Sequence, residues 1–138
     1  MSLFQAKVMA VFSVVYAGVN VYQFTSGYEA VRAKAHLFAE IAGAEGVTWR
    51  LRLVRALFYL AAPLAYLWTM IGAGLPGPFL VVAGAKFWMS SFAGLRTEHR
   101  LLRGEEYTPR DHALSRFDAL LNIALAFAAI WLVLSVWT

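Results

Sequence analysis

Lys86 and Ser90 lie four residues apart inside an apolar stretch that holds no other charge, and Asp118 and Asn122 lie four apart at the start of another. Residues at that spacing share one face of a helix. An ammonium, a hydroxyl, an amide and a carboxylate at similar depth have three uses. They bind an anion, hand on a proton, or hold two helices together. A charge at the centre of a bilayer costs about 2.5–3.5 kcal/mol on insertion scales, so an intramembrane lysine is expected to face a partner, a bundle interior or a wet cavity.

The elements that must position these residues are apolar helices. Hydrophobic residues make up 61% of the 138, charged residues 14%, and the mean hydropathy is +0.62. Soluble domains average nearer 45–50% and 25%, respectively. Four stretches, 8–24, 53–71, 77–95 and 119–137, reach or approach the ~20 residues that cross ~30 Å of hydrocarbon. Backbone groups have no water to bond there, so each stretch is expected to be a helix. The expected fold is an all-α integral membrane four-helix bundle, forming one domain over 1–138. Lys7 precedes an apolar run too long for a signal peptide and no clear cleavage site follows, so the first stretch is read as a retained span.

Charge orients the spans. Ten of the twelve Lys and Arg residues fall in the segments joining spans 1 to 2 and 3 to 4, counting Arg55 at the start of span 2. The 2–3 connector, residues 72–78, is uncharged and rich in Gly and Pro, which fits a tight turn. The positive-inside rule then makes the basic segments cytoplasmic and both termini external, in what is expected to be a bacterial inner membrane. Arg50, Arg52, Arg55, Arg96 and Arg100 are candidate contacts for anionic headgroups. The basic pI of about 9.7 reflects these segments and does not call for nucleic acid. Trp49, Trp68, Trp131 and Trp137 fall near span ends, as an aromatic belt would.

The cytoplasmic side carries further helix signals. Ser26-Gly27-Tyr28-Glu29 reads as a capping box, opening a short amphipathic helix over about 27–42 with Gly43 as its stop. Glu29, Arg32, His36 and Glu40 share one of its faces. It either lies on the headgroups or turns that face to a ligand or partner. Thr108-Pro109-Arg110-Asp111 is a second start signal. It begins helix 4 before the membrane, while helix 3 runs on to Arg103 with Gly104 as its stop. The two are expected to form a helical hairpin projecting into the cytoplasm.

Registering that hairpin places Asn122 level with Ser90, and matching the other span ends adds Asn20 and Tyr59. Asn20, Tyr59, Ser90 and Asn122 thus make a candidate polar layer. Lys86 lies about one turn, ~6 Å, deeper and extends toward that layer and Asp118. Pro63 frees the Tyr59 carbonyl, an acceptor within reach of Lys86. Ser13, Ala17, Gly84, Ala126 and Ala129 read as close-packing positions. His99 falls opposite His112, a low-ranking metal candidate whose spacing fits no known motif. No metal or other cofactor is expected. Without cysteine, thiolate and disulfide chemistry is excluded.

Three function classes stay open. The first is a transporter, channel-like or anionic-ligand-binding protein with Lys86 in its path. The second is a non-catalytic structural or assembly subunit of a larger membrane complex. The third is a membrane enzyme acting on a lipid or amphiphile at the cytoplasmic face. The expected partners are the lipid bilayer and either further copies of the chain or the other subunits of a complex. Size and topology are similar to those of small glutathione- and eicosanoid-processing membrane enzymes (the MAPEG family). Their Arg/Asn/Glu signature does not appear around Arg55-Ala56-Leu57-Phe58-Tyr59, so no activity is carried over.

Overall fold

The computed structural model describes residues 2–43, 46 and 48–137. Among these the regular structure is entirely helical: α1 (Leu3–Thr25), α2 (Tyr28–Gly43), α3 (Trp49–Gly72), α4 (Gly77–Leu102) and α5 (Pro109–Trp137). All but α2 are long and apolar enough to cross a membrane. Their outward surfaces are apolar as well. Trp68, Trp88 and Trp131 are each more than 60% exposed, as is Trp49 at the start of α3. The side chain of Trp137 lies outside the described set.

The helices outrun the apolar stretches because polar caps start them early. Ser2 Oγ accepts from the Gln5 N–H, and the Gln5 side chain accepts from the Ser2 N–H, so α1 opens five residues before Val8. Thr48 Oγ1 accepts from the Leu51 N–H and opens α3 at Trp49, which puts Arg50, Arg52 and Arg55 on the helix itself. Thr108 and Asp111 form a reciprocal cap at the head of α5: the Asp111 N–H donates to Thr108 Oγ1, and the Thr108 N–H to Asp111 Oδ2. Gly74 and Gly104 take positive φ (74° and 86°) just past α3 and α4, a conformation that glycine adopts without a Cβ clash.

One cap differs from expectation. Ser26 does not open α2. Its hydroxyl donates back to the Tyr22 carbonyl at 2.7 Å and closes α1. At a helix C-terminus the carbonyls need donors, and a serine hydroxyl meets that need as readily as it caps the next helix.

The closest pairing is α1 with α5. Ala6, Met9, Ser13, Tyr16 and Asn20 on α1 recur at spacings of 3, 4, 3 and 4. Ala119, Asn122, Ala126, Ala129 and Val133 do the same on α5. All but Tyr16, which is partly buried, are buried. That spacing keeps one narrow stripe of each helix facing the other, and the alanines let the backbones come close. α1 also lies along α3, and α3 along α4. By contrast, α4 and α5 approach closely at few positions. The expected hairpin of these two helices is thus joined by polar side chains rather than by close backbone packing.

α2 folds back over the ends of α4 and α5. Tyr28 Oη donates to the Tyr107 carbonyl at 2.9 Å, the two rings stack, and the Phe38 ring lies under the Arg55 guanidinium at 4.7 Å. Part of the amphipathic face therefore packs on the protein, while Leu37 and Ile41 stay exposed.

Candidate functional site

Lys86 sits midway along α4, beside the buried Ala83 and Phe87. Its ammonium crosses to α5 and donates to Asp118 Oδ1 at 2.7 Å, to Ser90 Oγ at 2.7 Å and to Asn122 Oδ1. A longer contact of 3.4 Å reaches the Asp118 carbonyl. The Asp118 carboxylate in turn faces three donors: Lys86 Nζ, the Ser90 hydroxyl at 2.7 Å and Asn122 Nδ2 at 3.4 Å. The lysine side chain is 15% exposed and the aspartate 35%. The network continues into α1: Asn122 Nδ2 donates to Asn20 Oδ1 at 2.8 Å, and Asn20 Nδ2 to the Tyr16 carbonyl at 2.8 Å. Of the residues proposed for the polar layer, Asn20, Ser90 and Asn122 come together, with Lys86 and Asp118 among them.

Tyr59 goes elsewhere. Its hydroxyl donates to Glu98 Oε1 at 2.9 Å. Arg55 donates to the same carboxylate through both Nε, at 3.0 Å to Oε2, and Nη2, to Oε1. This is a forked guanidinium–carboxylate pair, which fixes geometry as well as charge. The Phe38, Phe58 and Tyr59 rings surround the guanidinium within 6 Å. Gly94 makes room: a Cβ there would stand 2.6 Å from Tyr59 Cε1. The Tyr59 carbonyl left free by Pro63 accepts from Ser91 Oγ at 3.1 Å rather than from Lys86. α3 continues through the proline, and a neighbouring serine supplies the missing donor.

Glu98 was not among the candidates read from the sequence. Spacing held the better signal: Arg55 and Tyr59 are four apart on one helix, and Gly94 and Glu98 four apart on its neighbour. A third polar contact also escaped the sequence reading. Ser13 Oγ and Tyr66 Oη lie 2.6 Å apart in the apolar core between α1 and α3, so Ser13 is a hydrogen-bonding residue as well as a small one.

The remaining candidates separate by partner. Arg50, Arg52 and Arg96 are exposed, with Arg50 over the Trp49 ring. Arg55 is committed to Glu98, and Arg100 to Glu105 and Asp111, both at 2.8 Å. Three ion pairs within the chain thus engage these two guanidinium groups. His99 is exposed, whereas His112 packs edge-on against Tyr28 and Tyr107. No group of three or more His, Asp or Glu among the described residues is placed to hold a metal. In the turn before α5, burial pushes the Tyr107 phenol above its usual range, with the nearby Asp111 charge adding to the effect.

The first arrangement is an ion pair whose carboxylate fills a cradle of ammonium, hydroxyl and amide donors. The second is an ion pair that locks two helices. No protein-family model, curated protein or solved structure matches the chain.

Proposed function

We propose that this is an integral membrane protein that binds or moves an anionic ligand at the Lys86 centre. In this reading the basic segments are cytoplasmic, both termini are external and the working form is a homo-oligomer. The observation that carries the reading is the environment of Asp118. Its carboxylate occupies a cradle of three donors while remaining one-third exposed. An incoming carboxylate or oxyanion has the same acceptor chemistry. It replaces Asp118 by exchange, and Asp118 swings to its open side. The exchange leaves no buried charge unpaired, which is the main cost of opening such a pair. Sparse packing between α4 and α5 allows the seam to widen without loss of close backbone contact.

The test uses reconstituted protein and a panel of chloride, acetate and phosphate. The expected result is saturable binding or flux of at least one anion, reduced at least about 10-fold in folded Lys86→Met, the equivalent of one charge-assisted hydrogen bond. Asp118→Ala, which vacates the cradle, is expected to lose thermal stability and regain it in acetate. Unchanged anion responses, oligomer and stability in Lys86→Met would sink the proposal.

A second reading has its own observation. All three ammonium protons of Lys86 have acceptors inside the chain. That favours a structural or assembly subunit, with the pair acting as an internal brace. Acetate rescue of Asp118→Ala without any anion response in the wild type is the outcome that selects it.

A further inference from the structure

A cavity of about 480 Å³ lies between α2 and the end of α4, away from the Lys86 centre. That volume suits a small ligand. Its walls divide chemically. Ala39, Leu101 and Leu102 give an apolar floor, while His36, Glu40 and Glu105 give a polar rim. Glu105 is already bonded to Arg100 at 2.8 Å. Glu40 has no ion-pair partner among the described residues, so the rim retains a net negative charge. His36 Nε2 is buried and lacks a hydrogen-bond partner. An unmet buried polar atom is uncommon in a folded chain and, beside a cavity, points to a missing partner.

We infer that this cavity is a binding site for a primary ammonium group on a short apolar stem. The exposed Glu40 carboxylate accepts from the ammonium at the open rim. The stem lies on Ala39, Leu101 and Leu102. A lipid aminoalkyl headgroup and a free alkylamine share this chemistry. An anion is disfavoured by the two carboxylates, and a transition metal by the absence of a ligand cluster among the described residues.

The probe is n-butylammonium, titrated calorimetrically into the full-length protein in phosphatidylcholine nanodiscs. Saturable binding is expected. Glu40→Gln weakens it roughly 10-fold, the loss of one charge-assisted contact. Ala39→Leu, which fills the floor and leaves every charge in place, weakens it as well. Glu29→Gln, on the same helix but outside the cavity, leaves it unchanged, and so does Lys86→Met. Competition by added ethanolamine phospholipid assigns the site to a headgroup, and lack of competition assigns it to a free amine. Absence of saturable binding, or equal affinity in wild type and Glu40→Gln, overturns the inference.

Discussion

Two ion pairs join neighbouring helices here, and they are built differently. Arg55 and Glu98 meet between α3 and α4, where the helices pack closely and Gly94 admits the Tyr59 ring. The planar fork takes both carboxylate oxygens, Tyr59 adds a third bond, and three rings screen the guanidinium. Lys86 and Asp118 meet between α4 and α5, where the backbones stay apart and a flexible four-carbon stem spans the gap. Arginine suits a fixed, saturated lock, and lysine a point charge that can re-pair. In the reading proposed above, the difference separates a brace from an exchangeable site, although both are intramolecular salt bridges.

The comparison breaks most visibly if the brace is the weaker of the two. Glu98→Ala strands the Arg55 charge and is expected to cost about 3 kcal/mol, read from unfolding in mixed micelles. Asp118→Ala is expected to cost less, about 2 kcal/mol, because Asp118 is partly exposed and its loss leaves Lys86 with Ser90 and Asn122. The double variant Lys86→Met/Asp118→Leu sharpens the contrast, since removing both charges should restore most of the stability lost in either single variant. A double variant as unstable as the sum of its parts would mean that the pair is not the coupling element. Gly94→Ala comes next, at about 1–2 kcal/mol, because the new methyl overlaps the Tyr59 ring. The same change should cost little once Glu98→Ala has released that ring. Smallest is Ser91→Ala, about 1 kcal/mol for one carbonyl bond. Its cost should largely vanish in a Pro63→Ala background, where the helix supplies its own donor to the Tyr59 carbonyl.

The partners of Arg55 and Arg100 illustrate a limit of reading charges in sequence. Both look like headgroup contacts from position alone, yet each has an acid within reach. Which acid it finds depends on helix rotation, and apolar patterning sets rotation only coarsely when every face of a span is apolar. Tyr59 shows the same limit. Its depth was readable from span ends, but its direction was set by the gap at Gly94. The α1–α5 stripe was legible in part: Ser13, Ala126 and Ala129, read as close-packing positions, lie buried on it with Asn20 and Asn122, whereas Ala17 is only partly buried and off it.

The sequence alone determined four long apolar helices, the short amphipathic one, most of their stops, and the placement of Lys86 one turn below Ser90 and Asn122, reaching toward them and Asp118. These follow from local physics: bilayer-length hydrophobic runs, end caps and a fixed rise per residue. The tertiary structure decided which helices pack together, that Tyr59 belongs to Glu98 rather than to Lys86, and that Ser91 satisfies the carbonyl above Pro63. Those outcomes depend on helix rotation and on gaps between backbones, which arise only when all the faces are packed at once.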